Sequence, residues 1–177
     1  MVEAITRPTQ IEISKQALKH NTEVVKKTSG ADKIFLAVKS NAYGLGLIPT
    51  SKAAVAGGVY GLAVAIIDEA LALRHERVTA PILILGISPA KYAELMAVQH
   101  ILTTVVSLSW LKEAAQYLSG EQRLHVSLGV DTGMGRIGFR DRESLAEAIA
   151  YLQENKQLFD YCLLYTSPSP RDMRRSR

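Results

Sequence analysis

From Lys33 onward, short apolar runs rich in β-branched residues alternate with stretches patterned for amphipathic helices, an alternation that restricts the chain to a parallel sheet with crossover helices. The runs are IFLAV (34–38), VYGLAV (59–64), PILIL (81–85), ILTTVV (101–106) and LHVSLGV (124–130), read as five strands. Apolar positions at helical spacing fall around 47–57, 67–76, 89–98, 108–119 and 141–154. Asp68 and Glu69, Ser88-Pro89, Ser107 and Asp141 are plausible openings for the last four of these helices. Each unit takes about 20–25 residues, the length required by a (β/α)8 barrel of about 250 residues. Five units cannot close such a barrel, so the expected fold class is α/β, an incomplete (β/α)8 TIM-type barrel of about five βα units over 33–161.

The front of the chain does not follow this rhythm. IEIS (11–14) reads as a short strand and Lys15 to about Thr28 as a helix, with no βα unit of their own. Residues 1–32 are therefore set apart, and their strand must find its partner outside the barrel. On the fifth strand the two faces separate cleanly: Leu124, Val126, Leu128 and Val130 suit packing against outer helices. His125, Ser127, Gly129 and Asp131 are small or polar and should line the barrel interior.

Two strings carry candidate chemistry. In AVKSNAYGLG (37–46), Lys39 ends the first strand in phase with Phe35 and Ala37, at the end where barrels hold their chemistry. An amine partly withdrawn from water there is more readily neutral, the form that adds to a carbonyl. Read alone, a lysine after a strand is more often a solvated end cap, a GxG usually a plain turn, and Tyr43 more often an amphipathic surface residue. VDTGMGRIGFR (130–140) follows the fifth strand as a glycine-rich turn presenting Asp131 and Arg136 at the same end, with a turn that binds nothing as the competing reading. The histidines say less: His20, His75 and His100 fall on helices or at a helix–strand junction, and His125 reads as a packed inward histidine. Trp110 reads as a helix residue touching the core.

Both strings resemble those of the alanine racemases, in which the first commonly reads AVVKANAYGHG and the second VDTGMGRLGF; RPTQIEIS (7–14) and DEALALR (68–74) are similar as well. The resemblance implies a fold-type III enzyme that uses pyridoxal 5'-phosphate (PLP). In it Lys39 would hold the cofactor as a Schiff base and serve as one catalytic base, and Tyr43 would contact the cofactor phosphate. Arg136 would approach the cofactor's phenolic oxygen and the substrate carboxylate, with Met134 close by. It further implies a cytoplasmic homodimer that interconverts L- and D-alanine and so supplies D-alanine for peptidoglycan. The second base would be a tyrosine from the partner subunit's C-terminal β-domain. Ser40 and Leu45 stand where alanine and histidine are usual, and neither change removes a catalytic group. Gly129 stands where relatives commonly carry a carbamylated lysine against the arginine corresponding to Arg136, so a small anion or a water network is expected to fill that space. Rival readings are a broad-specificity amino-acid racemase, a PLP-dependent decarboxylase of basic amino acids and a non-catalytic PLP carrier. NAYGLG and DTGMGRIGF disfavour the decarboxylase, and the opening RPTQIEIS disfavours the carrier.

A formal net charge of +4 invites a nucleic-acid reading. Four of the basic residues, Arg171, Arg174, Arg175 and Arg177, lie in 162–177 beside a single acid, Asp172, leaving a nearly neutral body of 17 basic and 16 acidic residues. No apolar run approaches the ~20 residues that cross a bilayer, and the start lacks the basic-then-apolar order of a signal peptide. Neither a nucleic-acid nor a membrane partner is expected. Cys162 is the only cysteine, which excludes an internal disulfide and a metal site built on several cysteines. From Cys162 the βα rhythm breaks: CLLYTSPSPRDMRRSR (162–177) has two Ser-Pro steps that suit neither a sixth strand nor a helix. CLLYTSPSPRD also resembles the translation of a transposase adapter used in sequencing libraries. The expectation is a non-native, disordered tail at 162–177, and before it the N-terminal part of a longer enzyme, inactive alone and with an exposed barrel edge.

Overall fold

Each strand lies beside its sequence neighbour. The computed structural model describes residues 12–166, with 162–166 described by their backbone alone. Six parallel strands follow the order β1 (Phe35–Ala37), β2 (Gly61–Val64), β3 (Ile82–Ile84), β4 (Ile101–Val105), β5 (Leu124–Val130) and β6 (Phe159–Thr166). The order never reverses, which is the rule of a barrel and not of a doubly wound sheet. β1 and β6 each have a bonded neighbour on one side only, so the barrel is unclosed, as expected.

The helices are α1 (Lys15–Ser29), α3 (Leu47–Ala56), α4 (Ile67–His75), α5 (Ala93–Val98), α6 (Leu108–Ala115) and α7 (Arg142–Glu154), with a short turn, α2 (Lys39–Tyr43), after β1. The stretch expected as one helix over 89–98 divides into a 3-10 turn (Ala90–Tyr92) and α5. The expected openings take several forms. Ser107 accepts from the Trp110 amide and Asp141 from the Ser144 amide, while Asp68 and Glu69 occupy the first turn of α4.

Over the described part of IEIS, Glu12–Ser14 lie outside any ladder and Ser14 caps α1 by accepting from the Ala17 amide; the partner expected for that strand lies outside the barrel, and none is present among the described residues. One expectation fails, at the sixth strand. β6 runs through Cys162 to Thr166 and pairs with β5 from Leu124↔Phe159 to Val130↔Thr166, with a register shift between Val126 and Ser127. The proline-bearing steps begin at Ser167, beyond the strand, so they do not interrupt it. The disordered tail expected at 167–177 lies outside the described residues.

In a parallel pair, residues in register share a face, and the register sorts the side chains. Leu62 pairs with Leu36 and Ile82, Ile101 with Ile82, and Thr103 with Val126, giving the helix-facing side. There Val64, Ile84, Val105 and Leu128 are buried in one cluster with Leu73, Met96, Leu111 and Ala148 from the helices. Full burial of each large aliphatic side chain contributes about 1.5–3 kcal/mol. Trp110 joins this core and donates its Nε1–H to the Ser88 carbonyl at 2.6 Å. The opposite set is the lumen: Phe35, Ala37, Gly61, Ala63, Leu83, Leu102, Thr104 and Ser127.

One charged side chain fastens the N-terminal ends of two strands. Arg74, in the last turn of α4, donates Nε to the Gln99 carbonyl (2.9 Å), Nη1 to the Val78 and Ala80 carbonyls (2.6 and 2.8 Å), and Nη2 to the His100 carbonyl (2.8 Å). It thereby ties the segments entering β3 and β4 to one helix. Lysine has the charge but not the planar fork. Arg74→Lys should therefore leave carbonyls unsatisfied and destabilise the fold by about 2 kcal/mol or more, read as a lower denaturant midpoint. An unchanged midpoint would refute this role.

Candidate active site

After β1 the backbone makes a turn that L-residues rarely make. Ser40, Asn41, Ala42 and Tyr43 have φ of 54°, 56°, 52° and 54°, so α2 is a single left-handed turn. This conformation costs an L-residue roughly 1–2 kcal/mol, and it persists only where the surroundings hold it. Here the Ala42 amide donates to the Val38 carbonyl at 2.7 Å, and the Asn41 carbonyl accepts from the Gly44 and Gly46 amides at 3.1 and 3.0 Å. The Asn41 side-chain oxygen accepts from the Leu47 amide at 2.8 Å, which opens α3, and the Ala42 side chain is buried in the core. The tight loop read at 41–46 is present, strained in hand as well as short.

Lys39 is half-buried at the head of this turn. It shares a cavity of about 210 Å³ with Arg136, lined otherwise by Ala65, Leu85, Gly86 and Ile137. Ala65, Leu85 and Gly86 follow β2 and β3 directly, so the cavity lies at the C-terminal ends of the strands, as the barrel rule requires. A Cβ on Gly86 would come within 2.5 Å of the Ala65 carbonyl oxygen, so only glycine permits this approach of the two strand ends.

Arg136 belongs to a loop that is closed at its base. The Asp131 amide donates to the Phe139 carbonyl (2.9 Å) and the Phe139 amide to the Gly129 carbonyl (2.7 Å). At Gly138, with φ of 127°, a Cβ would sit 2.5 Å from the Asp131 nitrogen. Asp131 is not presented to the lumen for chemistry. Its side chain is 4% exposed, its Oδ1 accepts from the Gly133 and Gly135 amides at 3.0 Å each, and its Oδ2 lies 3.8 Å from Arg140 Nε. The amide bonds from Gly135 and Gly133 hold its carboxyl below the ordinary carboxylate range.

Lys39 and Arg136 are thus brought together, whereas Tyr43, 66% exposed, and the half-buried Met134 are not among the residues lining this cavity. Gly129 is buried on β5, where a Cβ would meet the Thr104 Cγ2 methyl at 3.1 Å, a close contact that asks that methyl to give by a few tenths of an ångström. The remaining walls, Ala65, Leu85, Gly86 and Ile137, were not singled out from sequence, although three of them sit at the ends of strands that were. His125 lines a separate cavity of about 310 Å³ with Lys33, Tyr60 and His100, toward the strand starts, and its Nδ1 is 3.3 Å from Asp160 Oδ2.

A parallel, unclosed barrel sheet with a cavity at the C-terminal strand ends defines the class: an α/β barrel protein. Residues 13–175 match the family described as alanine racemase, N-terminal domain, and the chain belongs to that family. It is 49% identical over 166 residues to the lysine racemase of Oenococcus oeni, covering 94% of this chain and 44% of that protein. It is 43% identical to the alanine racemase of Pediococcus pentosaceus, covering 89% and 42% of the two. Among solved structures, the alanine racemase of Oenococcus oeni superposes with a TM-score of 0.90 at 45% identity, covering 98% of this chain and 48% of that one. The histidine racemase of Leuconostoc mesenteroides superposes with a TM-score of 0.81 at 32% identity, covering 89% and 44%. The chain therefore spans less than half the length of these relatives.

The Asp131 bonds have a pH consequence. Because its carboxyl is held low in the folded loop, the stabilisation it contributes is present above the unfolded carboxylate range and is lost as pH falls through the lowered folded value. Protection of the Gly133 and Gly135 amides from hydrogen exchange, corrected for intrinsic rates, should fall below about pH 4. In Asp131→Asn the protection should be weak at neutral pH and insensitive to acid. Wild-type protection that survives acid undiminished would contradict the assignment.

Proposed function

We propose that this chain is the cofactor-binding part of an amino-acid racemase that uses PLP, with alanine as its substrate and Lys39 as the residue that carries the cofactor. The observation that supports this most is the pairing of the Lys39 amine with Arg136 in one cavity whose other walls are Ala65, Leu85, Gly86 and Ile137. That set fits the group: an amine for the aldehyde, a guanidinium for an anionic oxygen, and small or apolar walls for a planar ring. When bound, the cofactor supplies an electron sink that makes the α-proton of an amino acid acidic.

The chain's own residues then divide the work. Lys39, set at the mouth by the left-handed turn, removes or returns the α-proton on one face. Arg136 offers paired donors to a carboxylate or a phenolic oxygen. Tyr43, four residues on from Lys39, is assigned to the cofactor phosphate, and Met134 to the substrate side. Of the six residues lining the cavity, only Lys39 and Arg136 have basic side chains, and a guanidinium does not act as a base in neutral water. Racemisation needs a second base on the opposite face, so the active enzyme must draw it from beyond this cavity, which accords with a homodimer of a longer protein. Residues 33–161 then form the cofactor-binding barrel. The proposed setting is the cytoplasm, where D-alanine for peptidoglycan is made, with an amino acid as partner and no nucleic acid. Among the described residues no helix is long and apolar enough to cross a membrane.

A broader substrate range is the second reading, favoured by the 49% identity to a lysine racemase. Chiral assays of the full gene product with alanine, lysine, histidine, serine and ornithine separate the two, and turnover of lysine comparable to alanine would establish the broader range. Lys39→Ala should abolish both the visible absorbance of bound PLP and racemisation. Arg136→Lys should keep the absorbance and lower kcat/KM for alanine by about 100-fold. A wild-type gene product that takes up no PLP would overturn the proposal.

A further inference from the structure

We propose that Glu69 is a positioning residue for Lys39, its carboxylate joining α4 to the left-handed turn so that the amine stands at a fixed point of the cavity. The inference rests on the reading of Lys39 given above. Glu69 Oε2 accepts from the Ala65 amide at 2.8 Å, and Oε1 accepts from the Asn41 amide at 3.3 Å. Ala65 is a wall of the cavity that holds Lys39, and Asn41 is one of the four residues of positive φ that follow it. One carboxylate therefore grips the end of β2 and the turn after β1 together.

Helix capping accounts for half of this. An acid in the first turn commonly reaches back to an amide at the start of its own helix, and the Ala65 bond is of that kind. The Asn41 bond is not, because it crosses 28 residues of sequence to a different element. A cap needs one acceptor, and here both oxygens are used, the second on backbone held in a costly conformation. Asp68, beside it in the same first turn, is exposed and makes no bond to the turn. The positions of Ala65 and Asn41 relative to one another determine how far the Lys39 side chain reaches across the cavity, so the carboxylate acts on the amine through backbone.

Glu69→Gln tests this, since an amide side chain accepts at one end only and presents a donor to the other N–H. In the full gene product without cofactor, the variant should speed hydrogen exchange at the Asn41 amide by about tenfold while β4 and α6 keep their rates. Acetylation of Lys39 by acetic anhydride, measured against the exposed Lys112 in the same molecule, should rise about threefold or more. With cofactor and alanine, kcat should fall while KM stays within about twofold, as expected when an interaction made in the transition state is lost. Asp68→Asn should move none of these, and Glu69→Asp, which keeps the charge but shortens the reach, should shift them less in the same direction. Three results would each overturn the proposal: unchanged exchange at Asn41, exchange that rises equally across the barrel, or a Lys39 labelling rate that does not respond when Asn41 is freed. Exchange and labelling are read without PLP, so their failure is distinct from failure of the cofactor assignment.

Discussion

The left-handed turn after β1 is the constraint on which the site depends. Four consecutive L-residues share one unfavourable conformation, and backbone bonds tie it at both ends, from Ala42 back to Val38 and from Gly44 and Gly46 to Asn41. The turn holds its hand because Ala42 is anchored in the core, its amide is bonded to Val38 at the end of the strand, and Asn41 is engaged on its amide, carbonyl and side-chain oxygen at once. Lys39 stands at the junction of strand and turn, so the stability of the barrel core is converted directly into the placement of one amine. Strain at such a junction persists only where packing over-determines it, and here the packing is that of the fold itself.

The two loops that meet at the cavity solve the same problem with different residues. The turn carrying Lys39 forces side-chain-bearing residues into positive φ and holds them through the buried Ala42 and the bonds of Asn41, one of them to the Glu69 carboxylate. The loop carrying Arg136 uses Gly133, Gly135 and Gly138 at positive φ, and the Asp131 carboxylate accepts from the amides of the first two. Each loop thus has one carboxylate on its backbone amides, Glu69 on the side of the amine and Asp131 on the side of the guanidinium.

Much of this was legible in the chain. Strands β1 to β5 were readable because their runs are short, apolar and rich in β-branched residues, and Lys39 and Arg136 because their strings are specific. β6 was hidden because the Ser-Pro steps after Thr166 carried more weight than the apolar run CLLYT before them, although a breaker acts only where it stands. Glu12–Ser14 differ from β1 to β5 in that their alternation calls for a neighbour outside the barrel, and no ladder forms there among the described residues. Asp131 was readable only as an acid presented with Arg136 at the strand ends, and its bonds to Gly133 and Gly135, which spacing alone does not reveal, show that it serves the loop. Ala65 and Gly86 could not be singled out, because their contribution is the bulk they lack.

That lack of bulk follows a gradient along the lumen. Toward the strand starts the interior is filled: the Phe35 ring occupies the space beside Gly61, where a Cβ would lie 2.5 Å from Phe35 Cε1, and packs edge-on to Tyr60 at 5.4 Å. Leu102 and His125 lie at that same end. Toward the strand ends most of the lumen positions are small, Ala37, Ala63, Ala65 and Gly129, with Leu85 the large one among them at the cavity. A barrel is normally packed solid by its inward side chains, so open volume at one end must come from small residues there, and the filled end carries the packing that the open end gives up. Gly129 fits this pattern without any special explanation. It sits among the small lumen residues toward the strand ends, where a longer side chain would press on the Thr104 methyl and take up volume that the lumen otherwise leaves free.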